Sequence, residues 1–185
     1  MLFLARFAIR LWVLALFFAL SGGFSATTQA AEAPRPLFAP LSQPLQLPPM
    51  LVNDPTGAPK PFAPLVQAKL KATPLLLIHL WATTCPPCQK EMQALDQAWP
   101  ALQAQHIDVI ALAQDPDGKI ALPAFVQRYG LKKLPLYLDP ALRALRGLQP
   151  RGLPVTYLVG AKGTLVGLHE GSLDWGALTA AQLNP

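Results

Sequence analysis

The stretch 81–92, WATTCPPCQKEM, contains the only two cysteines of a 185-residue chain, Cys85 and Cys88, with Pro86 and Pro87 between them. A pair so spaced has three uses: a covalent staple, half of a metal site, or a redox reagent. The flanking residues discriminate among these. Upstream, residues 74–82 (PLLLIHLWA) form an almost unbroken apolar run, the pattern of a strand buried on both faces. Downstream, CPPCQKEMQALDQAWPALQAQ places Met92, Leu95 and Trp99 at helical spacing. Its first prolines fall in the opening turn, where their missing N–H groups cost nothing, whereas Pro100 is expected to kink or break the helix.

The pair therefore sits where a buried strand ends and a helix begins. A helix N-terminus offers free N–H groups and a positive dipole end, and both stabilise a thiolate. In this reading Cys85, at the exposed end, attacks, and Cys88, one turn inward, resolves the mixed disulfide. As a staple the pair would close too short a loop to constrain the unfolded chain much. As a zinc site it lacks a second cysteine pair, and His79, His106 and His169 are scattered. The redox reading is the one the context favours, and no metal ligands are assigned.

Outward from the motif, the pattern alternates. Residues 107–113 (IDVIALA) read as a second buried strand, 120–130 (IALPAFVQRYG) as a helix ending at Gly130, and LPLYLD as a strand. PALRALRGL reads as a short helix begun by Pro140. PVTYLVG and TLVGLHEG, joined by AKG, form a hairpin, and SLDWGALTAAQL is expected to close the chain as a helix capped by Ser172. Before the motif, LQLPPMLVNDPTGAPKPF carries a turn signal that predicts an N-terminal hairpin on a sheet edge, where prolines are tolerated. The fold class is α/β: a mixed central β-sheet flanked by helices.

Residues 1–30 read as an export signal. Arg6 and Arg10 supply the basic start, residues 11–20 (LWVLALFFAL) the apolar run, and the small residues after it a cleavage site, placed after Ala30. An uncleaved membrane anchor through residues 7–26 is the alternative, although the run is short for a full span. Either way the folded part is exported, to the periplasm or another extracytoplasmic space. Residues 31–44 read as a Pro-rich tether and 45–185 as the folded domain; ten of the 21 prolines lie between Pro34 and Pro64. The net charge of +5 falls to 13 − 10 = +3 without residues 1–30. With no basic run interleaved with aromatics, nucleic-acid binding is not expected.

WATTCPPCQKEM closely resembles the active-site segment of thioredoxin-fold proteins of the TlpA/ResA type. A second signature, GLPVTYLV at 152–159, puts Pro154 at the position of that family's cis-proline. The resemblance covers about residues 45–183 and implies a thioredoxin-like sandwich. The 69 residues from Cys85 to Pro154 leave room for the strand–helix unit this subfamily inserts. It implies that Pro154 faces the cysteines, that the Leu153 backbone pairs with an incoming polypeptide, and that Trp81 packs beside the site. Trp81, Thr84, Pro86, Pro87 and Leu153 are thus the expected substrate contacts. Thr84 replaces the family's frequent Trp, and Gln93 a frequent helix proline. Glu91 matches a frequent family glutamate, with a solvated first-turn acid as the alternative. His79 stands where thioredoxin has a buried aspartate that helps deprotonate the resolving cysteine. Sharing a strand face with Leu77 and Trp81, it is expected to be buried. Two roles stay open for it: a base for the Cys88 proton, or a core histidine satisfied by a backbone carbonyl.

The direction of exchange follows from donors. Pro86 and Pro87 remove two possible N–H donors to the Cys85 sulfur, and that of Cys88 remains. A less stabilised thiolate means a more reducing couple, nearer about −270 mV than about −120 mV. A reductase of protein disulfides, acting through the Cys85–Cys88 pair without a further cofactor and as a monomer, is the expectation. The resemblance implies a membrane thiol donor of the DsbD or CcdA kind, and substrates in apocytochrome c or copper-site proteins. The rivals are an oxidase or isomerase on the same fold, and a copper chaperone using Cys85, Cys88 and His169. A peroxiredoxin would need Pro and Thr where Ile78 and Ala82 stand.

Overall fold

Strand alternation sets the architecture of the computed structural model, which describes residues 36–183. The expected leader and its anchor alternative lie outside those residues. Eight strands form one mixed sheet: β1 (Ala39–Leu45), β2 (Leu51–Asn53), β3 (Pro59–Pro61), β4 (Leu75–Trp81), β5 (Ile107–Ala113), β6 (Leu136–Leu138), β7 (Val155–Val159) and β8 (Leu165–Glu170), in the order β1-β8-β7-β4-β5-β6-β2-β3. β4, β5 and β6 are parallel neighbours, and β7 and β8 run antiparallel to complete the centre. The helices are α1 (Phe62–Ala72), α2 (Pro86–Ala104), α3 (Gly118–Tyr129) and α4 (Arg143–Leu148). Between β7 and β8 the turn is closed by Gly163 at φ +78, a left-handed conformation that favours glycine.

β4 is apolar throughout because both its faces are covered. Leu77 and Trp81 point into a cluster with Met92 and Leu95 of α2 and Phe125 of α3. Leu76, Ile78 and Leu80 point the other way, against Phe62 and Val66 of α1 and Ala144 of α4. Each fully buried Leu or Ile contributes about 1.5–3 kcal/mol, so the strand feeding the cysteine motif is firmly anchored. The edge hairpin of β2 and β3 forms as expected, with Leu51 opposite Pro61.

Four expectations are corrected. Residues 39–45 form an edge strand, so the part of the expected 31–44 tether from Ala39 onward is paired sheet, while 31–35 lie outside the described residues. Pro40 and Pro44 are tolerated there because an edge strand pairs on one side only, and Phe38, 3% exposed, pins the segment to the core. Helix α2 runs through Pro100 to Ala104 without a break; Pro100 is exposed and forfeits one hydrogen bond, while buried Leu95 and Leu102 hold both halves on the sheet. α4 starts at Arg143, after Leu142, and not at Pro140. The closing segment is no helix capped by Ser172. It forms turns ending in a single 3-10 turn, Ala180–Leu183. Its Leu173 N–H donates to Glu91 and its Gly176 and Ala177 N–H groups to Asp174, so side chains replace the helical ladder.

Candidate active site

The end of β4 delivers the chain to α2 through Ala82, Thr83 and Thr84. Cys85 is the N-cap residue of α2, in extended conformation, and Pro86 and Pro87 occupy its first turn. The two cysteines are joined as a disulfide. The Cys88 N–H points at Cys85 Sγ from 3.4 Å. It is the donor that the two prolines leave in place. Cys85 is half-exposed and Cys88 fully buried, so only Cys85 can be reached by a bulky partner. Thr84, Pro86 and Pro87 are exposed around it.

β7 is the antiparallel neighbour of β4, with Leu80 opposite Val155. That register carries the residues just before β7 to the cysteine end of the sheet. The Leu153–Pro154 bond is cis. Leu153 is half-buried, and its carbonyl oxygen lies 3.6 Å from Cys85 Sγ.

The loop before Cys85 is held by residues that sequence reasoning missed. Asp115, 5% exposed, accepts from the Thr83 N–H at 3.1 Å and the Thr83 hydroxyl at 2.7 Å. Gln89 donates to the Thr83 carbonyl at 2.8 Å, and the Tyr129 hydroxyl donates to Gln89 at 2.9 Å. The only signal was a carboxylate following a strand that ends beside β4. Trp81 requires a correction. It is 0% exposed, its ring tilted at 52° against that of Phe125 with centroids 4.9 Å apart, and offers no surface to a substrate. Burial on both faces of the sheet assigns it to the backing of the site.

His79 is fully buried, with its Nδ1 2.9 Å from the Thr156 hydroxyl and its ring edge-on to Trp175 at 5.3 Å. A side-chain hydroxyl, rather than a backbone carbonyl, is its partner, and Nε2 has none among the described residues. Burial pushes its pKa down to about 3, with the nearby His169 adding to the effect, so the imidazole is neutral at ordinary pH and keeps a lone pair. Thr156 lies opposite both His79 and His169 in the sheet, which makes the three a continuous cross-strand row. His169, half-exposed, is 2.8 Å from the Leu37 carbonyl through Nδ1.

Glu91, one turn beyond Cys88, is 4% exposed and no solvated acid. Its Oε1 accepts from the Leu173 N–H at 2.9 Å and from Trp175 Nε1–H at 2.8 Å. Burial pushes the carboxyl pKa up, against the pull of these hydrogen bonds. The alternative was excluded by a contact 82 residues distant, which no local pattern announces. Clefts flank the motif on two sides: one of about 550 Å³ bounded by Pro86, Lys90, Glu91 and Ser172, and one of about 190 Å³ between Thr83 and α3. A cleft of about 610 Å³ between the β2–β3 turn and α3 contains none of these site residues. Among the described residues no three His, Cys, Asp or Glu side chains are grouped to hold a metal ion, and no helix is long and apolar enough to cross a membrane.

Comparison with known proteins agrees with this geometry. The thiol-disulfide oxidoreductase ResA of Halalkalibacterium halodurans is 31% identical over 99 residues, covering 53% of this chain and 54% of the relative. The chain thus spans about half the length of the curated relatives it matches. A thiol:disulfide interchange protein of the thioredoxin family from Chlorobium tepidum superposes with a TM-score of 0.56 at 20% identity, over 78% of this chain and 99% of that one. A secreted Mycobacterium tuberculosis disulfide oxidoreductase homologous to E. coli DsbE gives 0.54 at 19%, over 72% and 93%. These likenesses establish the thioredoxin-like fold. Residues 64–167, more than half the sequence and including both cysteines and Pro154, match the AhpC/TSA family, and the chain belongs to that family.

Proposed function

We propose that the protein is an exported thiol–disulfide oxidoreductase that works as a reductase of protein disulfides. The observation that carries this reading is the asymmetry of the pair: Cys85 half-exposed at a helix N-terminus, Cys88 fully buried one turn inward. In the reduced protein the Cys85 thiolate attacks a substrate disulfide and a mixed disulfide forms. The departing substrate thiolate takes up a proton. Cys88 then loses its proton, attacks Cys85 Sγ and releases the second substrate thiol. Two electrons pass from the cysteine pair to the substrate. His79, neutral and with an unpartnered Nε2, is the residue we assign to take the Cys88 proton, against the cost that burial sets on its charged form. The Leu153 carbonyl beside Cys85 is suited to accept a backbone N–H of the bound polypeptide.

The reducing direction is supported by the single remaining N–H donor to Cys85 Sγ. With the family resemblance, it favours substrates in apocytochrome c or copper-site proteins and a membrane thiol donor of the DsbD or CcdA kind. The leader pattern supports an extracytoplasmic location, and the M. tuberculosis disulfide oxidoreductase that shares the fold is a secreted protein. A peroxidase lacks support, since Ile78 and Ala82 stand where its Pro and Thr belong. The test is the Cys85–Cys88 equilibrium in a glutathione redox series. A potential below about −220 mV is expected, and one above about −170 mV would make the protein an oxidase or isomerase instead.

A further inference from the structure

A polypeptide whose disulfide reaches Cys85 must lay its flanking residues on the surface beside the motif, and one side of that surface is a built groove. Thr83 and Gln89 form the wall on the motif side, and Ala121, Ala124, Phe125 and Arg128 of α3 line the other. The wall is stiff, because Asp115 holds Thr83 and Gln89 is fastened to both Thr83 and Tyr129. The groove begins two residues from Cys85, so it is continuous with the exchange site.

Two side chains give it a chemical preference. Ile120 is 81% exposed, more than any other large apolar side chain among the described residues. Ile120 and Ala124 are one helical turn apart and share a face of α3, so Ile120 puts an apolar side chain next to that lining. It does so at the N-terminal end of α3, which follows Asp115 and therefore lies at the catalytic loop. Arg128, two turns farther along, is exposed, with its guanidinium over the Tyr129 ring at 5.7 Å. The ion pairs among the described residues, Lys60–Asp54, Lys69–Asp108 and Arg151–Glu170, do not engage it. An arginine so placed is ready for a bidentate carboxylate.

We propose that this α3 groove docks the polypeptide segment flanking the target disulfide, and that it selects an apolar side chain against Ile120 and a carboxylate against Arg128. The inference rests on the exchange role of Cys85 and Cys88. The experiment uses the reduced full-length protein and three oxidants: a synthetic disulfide-bridged peptide with Leu and Glu outside the ring, the same peptide with Ser and Lys, and a small aryl disulfide. In each reaction one disulfide becomes two thiols while Cys85 and Cys88 give up two electrons and two protons.

Normalised to the aryl disulfide, the wild type should reduce the Leu/Glu peptide about tenfold faster than the Ser/Lys peptide. Ile120→Glu and Arg128→Glu should each lower the Leu/Glu ratio about tenfold, and Arg128→Glu should move the preference toward the Ser/Lys peptide. Normalised rates equal to wild type in both variants would overturn the proposal. So would a loss seen only in Lys90→Glu, which would place the peptide in the opposite cleft. A wild-type protein that reduces none of the three oxidants removes the exchange reading itself, and the docking site with it.

Discussion

Replacing Glu91 tests how the catalytic helix is tied to the rest of the protein. Its Oε1 takes two buried donors, the Leu173 N–H and Trp175 Nε1–H, from the closing segment. Glu91→Ala leaves both without a partner, at about 1–3 kcal/mol each. Relief from burying a carboxyl group subtracts from both ends of that range, so a net loss above about 1 kcal/mol is expected. Glu91→Gln keeps a carbonyl oxygen in place and should stay within about 1 kcal/mol of wild type at pH 7. The assay is urea unfolding of the oxidised full-length protein, followed by tryptophan fluorescence. The pH dependence carries a sign. Because burial raises the pKa of Glu91 in the folded state above the ordinary 4.5, the folded state binds the proton more tightly than the unfolded state. Glu91 therefore lowers stability as pH rises from 4.5 to the raised value, at up to about 1.4 kcal/mol per unit, and adds no slope beyond it. Glu91→Gln should accordingly gain on wild type across that window. An alanine variant within about 1 kcal/mol of wild type, together with a pH-independent Gln difference, would refute the clamp.

Cys85→Ser should abolish exchange, while Cys88→Ser should halt it at the mixed disulfide, visible as a covalent adduct by mass spectrometry. Since burial holds the folded pKa of His79 at about 3 against an ordinary 6.5, the unfolded state binds its proton first. His79 thus contributes stability above pH 6.5 that is lost progressively as pH falls toward 3, and His79→Asn should flatten that decline in pH-dependent unfolding. The same variant should slow release of the mixed disulfide about a hundredfold while leaving its formation intact in stopped-flow traces; equal slowing of both steps would argue against a base. Asp96 accepts the N–H groups of Lys132, Lys133 and Leu134. Asp96→Ala should cost about 2–4 kcal/mol, and hydrogen exchange should accelerate at those three amides.

The core of the fold and the reacting pair were legible in the sequence because they rest on local rules. A doubly buried strand must be apolar along its length, as β4 is, and a helix admits proline in its first turn, which sets Cys85 at the N-cap. Gly130 ends α3 at φ +66, where a glycine after the last apolar residue predicts a stop. Where local and tertiary preferences conflict, only the folded chain decides. Pro100 argued for a break in α2, but burial on either side outweighs one lost hydrogen bond. Pro40 and Pro44 argued for a tether, yet one-sided pairing accepts them in β1. Ser172 argued for a helix cap, and the donors after it went to Glu91 and Asp174 instead. The surroundings of the cysteines belong to the same class. Asp115 meets Thr83 across 32 residues, Thr156 meets His79 across 77, and Trp175 meets Glu91 across 84. Such pairings depend on strand register and helix docking, which no window of sequence contains, so the sequence determines the reagent and the tertiary structure decides what holds, shields and addresses it.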